Sequence, residues 1–472
     1  MRSERTCADI LTLGFGTSVA MWALGFFCRI PSGIIGEDLA APPPATDLAS
    51  AGLVPASALF VLLVLCMLGG GFLAGRLTTR GWRGGFFAGT LSSALNLLVV
   101  IGALSAEERN TLAASAVFFV PGTLLAGALL GVCGAVVGGW RSGNSGDSGD
   151  RQPISEQPEI GVSPRLSPLS WRCAFTVVAV CATFLLILAG GLVTSLKAGL
   201  QVPDWPNSFG YLMFFYPLSK MSGGIYFEHC HRLLGTLVGL ATLVLVVYTL
   251  AKEEGSWLRI FALGAFGLVL LQGLLGGLRV TGRLTLSAAR TDMAPSSALA
   301  VAHGIVAQIF FCALVAWSAF NSRAWREPGT LAARTVRTDW AIHSALLALL
   351  FIQLAAGAVL RHTAHLLHLH VTLAALASLA GLAAAARAWG LYGQSEILRR
   401  LAKALLLLGG LQVLLGVCSL FTLGFVLERR PSMLIQVIVT CAHHTVGVLL
   451  LGCATLLKVW GRRVLAPEPQ GG

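Results

Sequence analysis

Residues 53–74 read LVPASALFVLLVLCMLGGGFLA, a run without a charged side chain and apolar on nearly every helical face. About twenty such residues, each rising about 1.5 Å, cross the hydrocarbon core of a bilayer as one helix. A membrane strand would be about ten residues long with alternating polarity. Neither this run nor residues 404–420 (ALLLLGGLQVLLGVCSL) alternates. Backbone polar groups inside lipid must be satisfied within the segment, so helices do the spanning. The rest of the chain is of the same kind: of 472 residues, 56% are hydrophobic and 11% charged, too little polar surface for a water-soluble fold. The composition predicts an all-α polytopic membrane protein.

Twelve spans are expected, near residues 8–30, 53–75, 84–105, 113–139, 172–195, 226–250, 257–279, 296–320, 338–360, 365–388, 401–424 and 433–459. With the N-terminus in the cytoplasm, most Lys and Arg residues fall on the inner side, among them Arg76, Arg80, Arg83, Arg334, Arg337, Arg399, Arg400 and Lys403. That asymmetry places both termini inside. The net charge of +12 then reads as a topology signal and a contact with anionic membrane lipid, and no nucleic acid is expected as a partner. Arg2 and Arg5 precede the first apolar run like the n-region of a secretory signal, but the run is too long and lacks a small-residue cleavage site, so it reads as a retained span. None of the eleven cysteines forms a CxxC and no pair falls in an outer loop, which suggests neither structural zinc nor an outer disulfide.

Four spans precede a break and eight follow it. Residues 142–168 (SGNSGDSGDRQPISEQPEIGVSPRLSP) are rich in Ser, Gly, Pro and acidic side chains and read as a flexible cytoplasmic linker. The division is residues 1–140 as a four-span region of unassigned role, 141–170 as linker, 171–462 as an eight-span domain and 463–472 as a tail. GGGFLAG at 69–75 and GVCGAVVGG at 131–139 mark close helix packing in the first region. All ten histidines lie after the linker.

The eight-span part is internally repeated. Gln272-Gly-Leu-Leu-Gly276, Gln353-Leu-Ala-Ala-Gly357 and Gln412-Val-Leu-Leu-Gly416 place QxxxG in the seventh, ninth and eleventh spans, with a weaker equivalent, Gly190-Gly191, in the fifth. Each is followed by a span bearing one of four histidines, His231, His303, His370 and His443, each about two turns in from one end. Two pseudo-repeated four-helix bundles follow, with two histidines each. An imidazole inside a bilayer is normally retained for a partner or a metal, and two pairs at matched depth fit two bis-histidine haem sites. Against that stands a histidine satisfied by a neighbouring hydroxyl or carbonyl. His229 and His444 project away from the faces of His231 and His443, His343 lies near the inner end, His362 and His365 are interfacial, and His368 competes with His370.

Residues 199–235 are the most specific stretch: GLQVPDWPNSFGYLMFFYPLSKMSGGIYFEHCHRLLG. The PDWP of Pro203 to Pro206, followed by E-x-x-H-R at Glu228, His231 and Arg232, resembles the haem A synthase family, cytochrome oxidase assembly proteins that convert haem O to haem A. The resemblance covers about residues 172–460 and leaves out the first four spans. It implies a bacterial inner-membrane oxidoreductase that oxidises a porphyrin methyl of haem O to a formyl group by successive hydroxylations. The substrate haem would lie between His231 and His303 and a cofactor haem b between His370 and His443, all four binding haem iron, with Glu228 catalytic. Haem O synthase is the implied partner; the electron acceptor and any homo-oligomer stay open. Many family members carry a cysteine pair around PDWP, where this chain has Val202, Asn207 and Ser208, so a mechanism that needs a loop thiol is in doubt.

Independently of the resemblance, Glu228 and His231 are spaced i,i+3 on one helix face, so a carboxylate able to move protons stands beside a candidate iron ligand. The plainer role for Glu228 is an ion pair with Arg232. Arg232, Arg279 and Arg361 suit haem propionates or simple interface anchoring. Aromatic residues from Phe209 to Tyr216 cover the pocket, touch a partner or form an interfacial belt. Two rivals remain: a b-type cytochrome carrying electrons in the membrane, which would not need Glu228, and a twelve-span solute transporter, which would more usually divide six and six.

Overall fold

The computed structural model describes residues 7–30, 54–105, 109–143, 168–281, 296–424 and 433–468. Within them the chain forms α1 (Ala8–Cys28), α2 (Ala56–Leu77), α3 (Trp82–Val100), α4 (Ala116–Gly143), α5 (Pro168–Ser195), α6 (Gly223–Lys252), α7 (Ser256–Thr281), α8 (Ser297–Phe320), the single turn α9 (Arg323–Arg326), α10 (Val336–Thr363), α11 (Leu367–Gly390), α12 (Glu396–Thr422) and α13 (Met433–Val464). Twelve of these are long and apolar enough to cross a membrane, so the protein is an all-α multi-pass membrane protein. The ends are set by local chemistry. Pro55 stops α2 from starting earlier, and the Ser296 and Ser395 hydroxyls accept from the Leu299 and Leu398 N–H groups at 3.2 and 3.4 Å, capping α8 and α12.

The expected linker is partly helical at both edges, since α4 runs to Gly143 and α5 starts at Pro168; residues 144–167 lie outside the described residues. The expected tail is shorter as well. α13 continues to Val464, and β2 (Leu465–Pro467) pairs in parallel with β1 (Leu331–Ala333), an extended segment invisible to hydropathy.

Two compact units divide the chain, and the boundary does not follow the linker. The first holds α1–α4, α5 as far as Val178, and residues Phe214–Lys220. Its glycines work as expected: a side chain on Gly71 or Gly85 would run into the Gly131 carbonyl, and one on Gly89 into that of Gly127, so α2, α3 and α4 meet backbone to backbone. Polar pairs are buried or half-buried alongside, with the Ser18 and Ser92 hydroxyls 3.0 Å apart, Trp22 Nε1 donating to Asn96 Oδ1 at 2.9 Å and Arg80 Nε to Asp9 Oδ2 at 2.7 Å.

The second unit holds Ala179–Met213 and the chain from Met221 onward, and contains all the candidate site residues. Towards the far ends of α10 and α11 from His370, Asp339 is fully buried. Its carboxylate accepts from Arg387 Nε at 2.6 Å, from the Tyr392 hydroxyl at 2.6 Å and from Thr335 Oγ1 at 3.0 Å. Burial, and then the Asp339 carboxylate beside it, raise the Tyr392 pKa, so the phenol stays a donor.

Candidate functional site

His231 on α6, His303 on α8, His370 on α11 and His443 on α13 are brought together as two pairs. The His231 and His303 ring centroids are 6.4 Å apart with their planes at 74°; those of His370 and His443 are also 6.4 Å apart, at 77°. His370 lies in the first turn of α11 and not two turns in, because Ala364 and Leu366 adopt left-handed conformations and make the turn from α10 tight. It is His370 that faces His443; His365 and His368 are exposed.

The repeat explains how each ring is seated. A Cβ on Gly190 would stand 2.9 Å from His231 Cε1, one on Gly276 3.2 Å from that of His303, one on Gly357 2.8 Å from that of His370 and one on Gly416 3.2 Å from that of His443. Each glycine thus lets an imidazole lie against bare helix backbone. Four residues earlier on each helix, the carbonyls of Leu186, Gln272, Gln353 and Gln412 stand beside the respective rings. Every Nδ1 of the set is buried and makes no well-formed hydrogen bond. Gln272 Nε2 donates to the His303 carbonyl at 2.9 Å, while Gln353 and Gln412 Nε2 lie 3.4 Å from Nε2 of His370 and His443.

Two of the seats have a second glycine next to them. Gly191 takes His444, whose Nδ1 would be 3.1 Å from an added Cβ, and Gly277 takes the indole of Trp205.

Over residues 199–211 the chain folds back on α6. Glu228 Oε2 accepts from the Gln201 and Val202 N–H groups at 2.7 and 2.8 Å, and Oε1 from Arg232 Nη2 at 2.8 Å. Arg232 also donates to the carbonyls of Val202, Asp204 and Asn207 at 2.9, 2.6 and 3.0 Å. Asp204 in turn accepts from the Phe209 and Gly210 N–H groups, both at 2.7 Å, and the Ser208 hydroxyl lies 3.1 Å from His229 Nδ1. The Glu228–Arg232 ion pair is therefore real, and both terminal nitrogens of Arg232 bond to this loop. Motif spacing could not show these bonds, because most run to backbone groups. Arg361 Nη2 donates to the Gly191 carbonyl and Ser195 Oγ at 3.1 and 2.5 Å. The Arg279 guanidinium stands where a Gly199 side chain would be and interacts electrostatically with Glu228.

This arrangement can be set against known proteins. Residues 173–372 match the cytochrome oxidase assembly protein family. The match takes in PDWP, Glu228, His231, Arg232, His303 and His370 and ends before His443, whose place follows from the repeated geometry. It agrees with the resemblance carried by PDWP and E-x-x-H-R. Comparison with curated proteins gave no match.

The resemblance carried by PDWP and E-x-x-H-R implies haem, and the donor set fits it. Two imidazoles sharing one metal ion at about 2 Å from each nitrogen have ring centres about 6 Å apart, close to the 6.4 Å found in both pairs. Among the described residues no cluster of three or more His, Cys, Asp or Glu could hold a metal. Pairs without a third protein ligand suit an iron whose other positions are filled by a macrocycle, and would leave a bare zinc ion under-coordinated.

Proposed function

We propose that the protein is a haem A synthase, binding haem O between His231 and His303 and a resident haem b between His370 and His443. The observation that carries this reading is the twofold repeat of a glycine-seated histidine pair with one ring separation and nearly one ring angle, inside a chain that matches cytochrome oxidase assembly proteins. When bound, the haem iron supplies the oxidation–reduction chemistry by which a porphyrin methyl becomes a formyl group.

The chain's own contribution is positional and electrostatic. Seating on glycine fixes each ring, and the carbonyl beside it favours a proton on Nδ1, leaving Nε2 as the ligand nitrogen. Glu228 lies one turn before His231, buried at 4% exposure. Its charge is held by Arg232 and two N–H groups, so it supplies a fixed negative potential near the substrate and keeps the 199–211 loop in place. Arg279, within electrostatic range of both Glu228 and His231, is a cation available to a substrate carboxylate.

Extraction and mass identification of the haems from detergent-purified protein, made in a host that also produces haem O, tests the reading. Haem A or hydroxylated haem O beside haem b supports it. Haem b alone would favour an electron carrier, a reading to which the saturation of Glu228 by structural bonds is favourable. A well-folded protein without haem would return the transporter.

A further inference from the structure

We propose that the first four helices are the footing of the loop over the His231 site, and so act as a positioning element for the reaction; the catalytic part of this rests on the function proposed above. The chain between α5 and α6 is long for a connection inside a compact domain, and it is gripped on both sides by the same unit. Upstream, Phe175 on α5 packs edge-on against Phe15 with ring centroids 5.4 Å apart, and the Thr12 hydroxyl donates to the Trp171 carbonyl at 3.1 Å. Downstream, the chain forms two short 3-10 turns, Met213–Phe215 and Leu218–Lys220, and residues Phe214–Lys220 cluster with α1–α4.

The grip on this strap is specific. α3 continues as a 3-10 turn, Ile101–Leu104, and there a side chain on Gly102 would stand 2.5 Å from the Tyr216 carbonyl oxygen. The Ser105 hydroxyl donates to the Phe215 carbonyl at 2.6 Å. The turn is itself braced, since Ser105 bridges to Leu112 and the Ala113 N–H donates to the Leu104 carbonyl at 2.8 Å. Tyr216, the last of the aromatic run, is buried at 4% exposure by this packing and not spread along an interface.

What lies between and beyond the grips is the site's own loop. Residues 199–211 give their N–H and C=O groups to Glu228 and Arg232, and the strap runs on at Met221 into α6, which carries Glu228, His229, His231 and Arg232. Holding the strap shortens the free segment that the Glu228–Arg232 bonds must order, which lowers the entropy cost of keeping the loop closed.

The test uses the full chain with Ser105→Ala and Gly102→Leu, neither of which touches the site. Ser105→Ala removes one hydrogen bond and should speed amide exchange in residues 213–220 about fivefold. Gly102→Leu forces the strap off and should speed it at least tenfold, with the faster exchange spreading to residues 201–211. Haem A output should fall in the same order, while the optical spectrum of the haem at His370 and His443 stays unchanged. Unchanged exchange at 213–220 in both variants would overturn the footing. So would a released strap with unaltered exchange at 201–211 and full haem A output. If Gly102→Leu does not accumulate, Ser105→Ala decides alone by the same readings. If the unaltered protein makes no haem A, the proposed activity fails, and the spread of exchange into 201–211 still decides the footing.

Discussion

Gly357→Ala separates site geometry from fold stability. The added Cβ would stand 2.8 Å from His370 Cε1 and 3.1 Å from its Nδ1, whereas ordinary contact begins at 3.4 Å, so the ring must retreat by about 0.6 Å. Any such shift alters its placement relative to His443, whose ring centroid is 6.4 Å away. Metal–ligand distances tolerate about 0.2 Å, so the displacement is several times what a shared iron accepts. Overpacking of this kind costs about 1–3 kcal/mol, or about 5- to 150-fold in haem affinity at that pair. The helix gains, since Ala is favoured over Gly by about 1 kcal/mol in a helix interior, which offsets part of any cost to the fold, and thermal unfolding measures the remainder. Gly190→Ala, at 2.9 Å from His231, should act comparably on the other pair, while Gly276→Ala and Gly416→Ala, at 3.2 Å, need only about 0.2 Å and should act least. Haem content and the reduced-minus-oxidised spectrum of each purified variant, with thermal unfolding alongside, give the order. Full haem occupancy with unaltered spectra in Gly357→Ala would refute the seating argument, as would the reverse ranking of the four glycines.

Further outcomes follow from the same geometry. His231→Ala or His303→Ala should abolish haem A formation while the haem at His370 and His443 remains; equal loss of both haems in quantitative extracts would contradict the division into two sites. Glu228→Gln keeps one oxygen to accept from the Gln201 and Val202 N–H groups but loses the charge held by Arg232, so haem A should fall with both haems still bound, and normal haem A in the extract would remove Glu228 from the chemistry. Asp339→Ala strands Arg387 and the Tyr392 hydroxyl and should lower stability by about 3 kcal/mol, read as an earlier thermal transition. The His370–His443 spectrum should not change, since that pair lies towards the opposite ends of α10 and α11.

The spans were legible because a bilayer demands about twenty apolar residues whatever else the sequence encodes, and only their ends needed caps such as Pro55 and Ser395 to be placed. The QxxxG repeat was visible as a pattern, but its purpose was not: that each glycine meets the histidine of the next span depends on how neighbouring helices face one another. The fifth span hid the rule because Leu186 stands where the others have Gln, although Gly190 keeps the spacing. The Glu228–Arg232 pair could be anticipated from i,i+4 spacing. Its ties to Gln201, Val202 and Asn207 could not, since backbone groups carry no sequence mark. The aromatic run at 214–216 read equally well as an interfacial belt, because side-chain type does not reveal which helices will bury it. Residues 163–167 at the end of the expected linker, and the loop at 282–295, lie outside the described residues.

The doubled glycines on α5 and α7 bear on traffic. In the second half of the repeat, Gly357 and Gly416 are followed by Ala358 and Val417, so no second glycine extends the seat. In the first half the bare backbone continues for a second ring, and the extra width is filled by the side chains of His444 and Trp205. A seat filled by side chains, and not by helix backbone alone, is the one that can be opened by rotating those side chains, as release of a product after each turnover requires. On the proposed function, the haem that leaves as product is the one placed between His231 and His303.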